Sequence, residues 1–357
     1  MIFDAVRQLE NDGIPCEPEK RGEAMSREKV FALLSAHNGE YLSGETISAQ
    51  LGISRAAVWK AVSALRRDGY TIEAQTGLGY RLADSPDVVS ERELLRHLGA
   101  TRVVGHTLYC FESVDSTNSF LKRAAAEGAP DGTVAVADEQ TAGRGRRGRS
   151  FSSGPGRGVY LSALLRPQLA PEKILPLTAL GAVAACDAVE RACGVRPQIK
   201  WTNDLVLNGK KLSGTLTELS LEGESGALQY AVIGIGINCN NVREDFPPEI
   251  SDVATSIFQE TGRRVRRAAL AAALVEELDK LYVALMSGDT SAYLTAYRRD
   301  CLTLGREVQL LWQDAREKVT ALDVDDQFGL IVRRADGTVE TIRTGEVSVR
   351  GLYGYVE

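Results

Sequence analysis

Histidine and cysteine are scarce: three and six in 357 residues. The cysteines (Cys16, Cys110, Cys186, Cys193, Cys239, Cys301) form no C-x-x-C pair, so a structural zinc site is not expected and the thiols read as scattered and reduced. Met1 to Asp4 carries neither a basic nor an apolar leader, so no secretory signal is visible. No apolar run approaches the roughly 20 residues of a membrane span. A cytoplasmic protein without membrane contact is the expectation. Net positive charge is lacking too. The formal charge of -6 argues against indiscriminate nucleic-acid binding by the whole molecule, so any DNA contact needs a local cationic patch. What is present, 44% hydrophobic and 25% charged residues, is ordinary globular composition, enough for two or three domains.

Residues 1 to 24 are polar, with Gly13, Pro15 and Pro18, and read as a flexible, poorly packed extension. Met25 is an alternative start. Ser26 is placed to cap a first helix carrying Val30, Phe31, Leu33 and Leu34. A short helix over 43–51, a turn at Gly52 and a new cap at Ser54 follow. The next helix shows Val58, Val62 and Leu65 on one face and stops at Asp68-Gly69. Tyr70 to Leu82, turning at Thr76-Gly77-Leu78-Gly79, reads as a hairpin. Three helices and a glycine-tipped wing make residues 25–84 a winged helix-turn-helix.

Asp84-Ser85-Pro86-Asp87 is a linker signal. From 88 to 304 strands and helices alternate, as in an α/β domain. Strands are expected over 133–138, 158–165, 197–207 and 228–237, and helices over 116–127, 173–193 and 266–287. From 305 to 357 short strands separated by Asp and Gly turns describe an SH3-like β-barrel. The expected class is therefore multi-domain α+β.

The chemistry-bearing feature is Gly143-Arg144-Gly145-Arg146-Arg147-Gly148-Arg149, with Phe151 just beyond. Alternating glycine and arginine exposes backbone N–H groups within dense positive charge, which suits phosphates or an acyl phosphate. It lacks the G-x-x-x-x-G-K-[ST] pattern of a Walker A loop. A flexible basic loop or an RNA-binding tract is the alternative, disfavoured because the loop follows a strand inside a folded domain. Asp115-Ser116-Thr117-Asn118 either caps a helix or binds a polar head group. Lys200-Trp201-Thr202-Asn203-Asp204 brings a lysine and an aspartate together. Gly209-Lys210-Lys211-Leu212-Ser213-Gly214 presents a lysine beside glycine. Ile233-Gly234-Ile235-Gly236-Ile237-Asn238 is a strand open to close backbone approach. It is no dinucleotide fingerprint, because the third glycine and phosphate helix are missing.

The series D-S-T-N, E-Q-T-A-G-R-G-R-R-G-R, K-W-x-N-D-L, K-L-S-G-x-L-x-E and G-I-G-I-N resembles the biotin protein ligase family. With the winged helix in front, it resembles the family's bifunctional ligase–repressor type, over residues 26 to 357. That resemblance implies a biotin pocket at Ser116, Thr117, Asn118 and Gln140, and Arg144, Gly145 and Arg146 covering the activated ligand. It implies Lys211 at the biotin carboxylate and α-phosphate, and Asn238, Asn203 and Phe151 with Arg146 in the adenylate site. Two positions depart from the family pattern. Thr202 replaces a proline, which loosens that turn, and Phe151 replaces a tryptophan, with less stacking area.

The implied reaction turns biotin and ATP into biotinyl-5'-AMP and passes biotin to a lysine of the biotin carboxyl carrier protein. Arg146, Lys211 and Lys200 are the candidates for stabilising phosphoryl charge. Asp204 either helps hold Mg²⁺ or pairs with Lys200. For operator DNA the candidates are Ser54, Arg55 and Lys60. From Ser54 to Asp68, Arg55, Lys60, Arg66 and Arg67 against Asp68 leave a local charge of +3. A homodimer favoured by the adenylate is expected. The alternatives are a ligand-sensing regulator without ligase activity and a lipoate-type ligase.

Overall fold

The computed structural model describes residues 18–37, 39–312, 315–343 and 346–349. It divides into two compact units, Met1–Asp87 and Val88–Glu357.

In the first unit, local chemistry sets the elements. Helix α1 (Pro18–Ala36) begins earlier than expected. Ser26 therefore lies inside it and not at its cap, and part of the stretch read as an extension is helical; residues 1–17 lie outside the described residues. Helix α2 (Gly44–Leu51) is capped by Ser43 Oγ, which accepts from Thr46 N–H at 3.0 Å. It ends at Gly52 with φ 64°, a left-handed position that glycine takes without a Cβ penalty. Helix α3 (Arg55–Arg67) starts at Ser54, whose Oγ accepts from Ala57 N–H at 3.1 Å, and is capped by Asp68. Strands β1 (Thr71–Gln75) and β2 (Gly79–Asp84) form the wing. Val58, Val62 and Leu65 meet Val30, Phe31 and Leu34 of α1, and Ile72 and Leu82 of the wing, in one core. The winged helix expected from the sequence is thus present.

The second unit is built on a mixed seven-stranded sheet. Its strands, in chain order, are β3 (Leu108–Val114), β4 (Val134–Gln140), β5 (Gly158–Leu165), β6 (Gln198–Lys200), β7 (Asp204–Leu207), β8 (Lys210–Leu221) and β9 (Leu228–Asn238). Across the sheet the order is β3-β4-β5-β9-β8-β7-β6, with only β3 and β4 parallel. The run expected as one strand over 197–207 is broken at Trp201–Asn203, between β6 and β7.

The helices before and after the sheet strands complete the layers. In chain order they are α4 (Glu91–His97), α5 (Thr117–Ala126), α6 (Pro171–Ile174), α7 (Leu177–Cys193), α8 (Ile257–Thr261), α9 (Arg267–Ser287) and α10 (Ser291–Asp300). The helix expected over 173–193 is divided at Pro176, where proline ends one turn and opens the next. Helix α7 is apolar almost all round and lies buried in the main core, with α9. Helix α5 lies in a second cluster, where Leu121 and Ala125 pack with Ala135, Leu164 and Val232.

The C-terminal module is a five-stranded antiparallel sheet of β10 (Glu307–Trp312), β11 (Ala315–Val324), β12 (Leu330–Arg333), β13 (Val339–Ile342) and β14 (Glu346–Val349), ordered β13-β12-β11-β10-β14. Its Val308, Val319, Ala321 and Leu330 share the main core with α7 and α9. Among the described residues no helix is long and apolar enough to cross a membrane.

Candidate functional site

Three glycines, Gly214, Gly234 and Gly236, open the centre of the large sheet. Ser162, Gly234 and Leu216 lie in register across β5, β9 and β8, and Tyr160, Gly236 and Gly214 form the next rung. A Cβ added to Gly234 would stand 2.0 Å from Asn118 Oδ1, and one on Gly236 would stand 2.6 Å from the Phe151 ring. These glycines let a side-chain amide and an aromatic ring lie directly on the backbone.

The first turn of α5 sits at this floor. Ser116 is its N-cap, accepting from Ser119 N–H at 3.4 Å. Thr117 N–H donates to Gln140 Oε1 at 2.9 Å, and Thr117 Oγ1 and Ser162 Oγ are 2.7 Å apart. Ser162 Oγ donates to Asn118 Oδ1 at 2.6 Å. Asn118 Nδ2 donates to Glu218 Oε2 at 3.0 Å. Gln140 Nε2 donates to Ser153 Oγ at 3.0 Å. The structure thus brings Ser116, Thr117, Asn118 and Gln140 together. Ser116, Thr117 and Asn118 are buried, and each polar group found costs more to bury without a partner than with one.

The glycine–arginine loop leaves β4 and returns through a bridge between Arg144 and Ser150. Gly145 N–H donates to the Arg149 carbonyl at 2.7 Å, and Arg146 opens a single 3-10 turn. Arg144 reaches Glu218 at 3.8 Å. Arg146 donates to Asn203 Oδ1 at 2.6 Å, and Asn203 Nδ2 donates to the Thr215 carbonyl at 2.6 Å. The loop is therefore tied to the turn between β6 and β7.

That turn does not depend on a proline. Trp201 N–H donates to Thr303 Oγ1 at 3.0 Å, its indole N–H to the Phe328 carbonyl at 2.8 Å, and Tyr297 O–H to the Thr202 carbonyl at 3.0 Å. The expected loosening at Thr202 meets this tertiary clamp; the Trp201–Thr202 peptide bond is cis. Lys200 is buried and stands opposite Asp204 in the backbone register. Lys211 Nζ donates to Asp204 Oδ1 at 2.7 Å. Asn238 is buried at the end of β9, its Nδ2 donating to the Thr255 carbonyl at 3.0 Å.

Glu218, Ser162, Ser153 and Lys122 had been passed over in the sequence. Lys122 Nζ donates to Glu218 Oε1 at 2.8 Å. Burial raises the Glu218 carboxyl, but bonds from Lys122 and Asn118 and the charges of Lys122 and Arg144 outweigh it and leave its pKa below the ordinary value. The one available signal was its place in K-L-S-G-x-L-x-E, where alternation along β8 puts Gly214, Leu216 and Glu218 on one face. Among the described residues no group of three His, Cys, Asp or Glu side chains is arranged to hold a metal. Burial pushes the Cys110 thiol up to about 12 and that of Cys301 to about 11, so neither is poised as a nucleophile.

On the winged unit, Arg55 and Lys60 are exposed on α3. Arg55 pairs with Glu45 at 2.5 Å, both well exposed. Ser54 Oγ is engaged as the cap. Arg66 donates to the Ile72 carbonyl at 2.9 and 2.6 Å, so it braces the wing. Trp59, beside Lys60, is 61% exposed, an aromatic on the presented surface that the charge count overlooked.

Fold and site define a two-unit protein: a winged helix followed by a ligase-type α/β unit with a hydrogen-bonded cluster of polar side chains and a glycine–arginine loop. Comparisons agree. Residues 110–238 match the model of the biotin/lipoate A/B protein ligase family, and 26–81 match an HTH domain. The chain is 37% identical over 311 residues to the bifunctional ligase/repressor BirA of Bacillus spizizenii, covering 87% of this chain and 95% of that one. It is 30% identical over 322 residues to that of Escherichia coli, covering 90% and 96%. Among solved structures it resembles the biotin protein ligase from Aquifex aeolicus in complex with biotin and ATP, with TM-score 0.58, 30% identity and coverage of 69% and 99%. The chain belongs to the biotin/lipoate A/B protein ligase family, and its likeness to the bifunctional ligase/repressor members runs through both units.

Proposed function

We propose that this protein is an ATP-dependent biotin protein ligase and a biotin-responsive transcriptional repressor, working in the cytoplasm. The observation that carries the ligase reading is the Arg146–Asn203 bond, which joins the glycine–arginine loop to the turn bearing Lys200 and Asp204. In the first step a biotin carboxylate oxygen attacks the α-phosphorus of ATP. The bond to the β-phosphate bridging oxygen breaks, and pyrophosphate leaves. Arg146, Lys211 and Lys200 stabilise the charge that develops on the phosphoryl oxygens. Thr117, Asn118 and Gln140 orient the fused ring, Ser116 holds the helix end that presents them, and Arg144 and Gly145 cover the ligand. Phe151 offers its ring and Asn238 its amide oxygen to the adenylate.

Asp204 is a single carboxylate beside the phosphate site, which fits Mg²⁺, an ion that takes one or two carboxylates and completes its shell with substrate oxygens and water. Magnesium there would add charge neutralisation. In the second step the amine of a carrier-protein lysine attacks the acyl carbon of biotinyl-5'-AMP. A C–N bond forms, the C–O bond to phosphate breaks, AMP leaves, and the amine proton passes to solvent. Closure of the glycine–arginine loop excludes water from the mixed anhydride.

Repression rests on α3, where Ser54, Arg55 and Lys60 face outward. One winged helix meets few phosphates, so two on a two-fold axis are needed for tight operator binding. Ordering of the loop by biotinyl-5'-AMP lowers the entropy lost on dimerisation. The deciding experiment is biotin-dependent ATP–pyrophosphate exchange, followed by transfer to a biotin-free carrier domain. No exchange points to a regulator without ligase activity; exchange with lipoate in place of biotin points to a lipoate-type ligase.

A further inference from the structure

The site's hydrogen bonds run outward from Thr117 to two groups that only accept, and Glu218 is the one that orients Asn118. An ionised carboxylate only accepts hydrogen bonds. Asn118 therefore turns its Nδ2 toward Glu218 Oε2, at 3.0 Å, which leaves its Oδ1 for Ser162. Ser162 Oγ donates to that oxygen at 2.6 Å. With its single proton committed, Ser162 accepts from Thr117 Oγ1 at 2.7 Å. The Thr117 hydroxyl also donates to Gln140 Oε1, 3.1 Å away, sharing its one proton, and that oxygen accepts from the Thr117 backbone N–H at 2.9 Å as well. At the far end Ser153 Oγ donates to the Phe151 carbonyl at 3.1 Å and accepts from Gln140 Nε2 at 3.0 Å. Two groups that only accept, one carboxylate and one backbone carbonyl, thus orient both amides.

Each amide carries two N–H groups. One on Asn118 and one on Gln140 serve the chain of bonds; the other on each has no protein partner among the described residues. The absent Cβ at Gly234 keeps Asn118 flat on the sheet, where a side chain would otherwise displace it. Lys122 and Arg144 neutralise Glu218, so its effect on a ligand is carried by hydrogen-bond direction more than by charge.

We propose that Glu218 is a positioning residue that sets the hydrogen-bond polarity of the pocket, so that it presents N–H donors to the oxygen of a neutral cyclic urea and disfavours a cationic guanidine in its place. This rests on the biotin reading above. Without an acceptor-only partner, the Asn118 amide is free to turn over and to present its oxygen to the ligand in place of its donor.

The test is calorimetric titration of the full chain and of Glu218→Gln with biotin and with 2-iminobiotin, at a pH where the latter's guanidine is protonated. The glutamine keeps the size but presents either a donor or an acceptor. Biotin affinity is expected to fall about tenfold, and the preference for biotin over 2-iminobiotin to narrow by roughly threefold or more. A merely structural role would weaken both ligands in equal proportion. A purely electrostatic role would widen the preference, because a negative charge near the cation is removed. Either result, or affinities unchanged within about twofold, overturns the proposal. Glu218→Leu, which offers Asn118 no polar partner, is the second variant should the first not fold, with the same expected and overturning outcomes. A parent protein that binds neither ligand defeats the biotin reading and the proposal with it. A parent that discriminates, with a variant that discriminates equally, defeats the proposal alone.

Discussion

Lys211 and Asp204 face each other from neighbouring strands, ammonium to carboxylate at 2.7 Å. Lys211 follows the tight turn that opens β8, and Asp204 begins β7, so the pair is held by the sheet and not by a mobile loop. Both side chains are partly accessible, at 30% and 20%, so a ligand phosphate can reach the lysine without unpacking the core.

Lys211→Ala is therefore expected to slow adenylate formation by about 10²-fold or more. Biotin-dependent pyrophosphate exchange measures this. A rate within about twofold of the parent would remove Lys211 from the reaction.

In the free protein Arg146 ties the loop to Asn203; in the function proposed above it also covers the adenylate. Replacing it with glycine is expected to release biotinyl-5'-AMP sooner and to biotinylate non-cognate lysines. Asn203→Ala should show the same leak in weaker form, since it removes the anchor but keeps the Arg146 side chain. Adenylate retention times, read by trapping with labelled biotin, decide the matter; parent-like retention in both variants would contradict this role.

Arg55 and Lys60 are exposed on α3 of the winged unit. Alanine at both is expected to leave pyrophosphate exchange unchanged and to lower the salt dependence of operator binding, by a slope of about one per cation removed. Titrating operator DNA at two salt concentrations gives that slope. An unaltered slope would mean that neither residue meets a phosphate.

Asp300, at the end of α10, accepts from Arg196 at 2.6 and 3.0 Å. Burial raises its carboxyl, yet the bonds from Arg299 and Arg196 prevail and hold the pKa below the ordinary value. The unfolded chain therefore takes up the proton first. The stabilisation is complete above the usual carboxylate range, near 3.9, and is lost as pH falls through the folded value. Arg196 keeps Asp187 and Glu190 as partners. Asp300→Asn is thus expected to lower stability at neutral pH by about 2–3 kcal/mol, at or below the low end for a broken buried pair. Its acid unfolding curve should be flatter than the parent's. Denaturant unfolding at pH 7 and pH 3 checks both; an equal loss at the two pH values would show that charge is not the cause.

Local chemistry made much of this protein legible in its sequence. Ser54 as a cap, Gly52 as a left-handed stop and the glycine-tipped wing each depend on a few adjacent residues, so the winged helix could be read directly. The glycine–arginine loop reads as an anion site because its composition is its chemistry. The D-S-T-N turn was legible for the same reason, with both of its readings open. The tertiary structure decided what depends on residues far apart. Ser26 had the right side chain for a cap, but α1 runs through it from Pro18. The run from 197 to 207 has strand-like residues on either side of Asn203-Asp204, and it breaks where Thr303, Phe328 and Tyr297 capture the turn about a hundred positions away. Glu218 meets Asn118 across a separation of 100 residues, and beyond its place in the K-L-S-G-x-L-x-E run nothing local to β8 distinguishes it from an exposed strand glutamate. A cap or a turn is satisfied by its own neighbours, so it is written in a short window; the partners of a pocket residue are chosen by strand order and register, and those exist only once the sheet has formed.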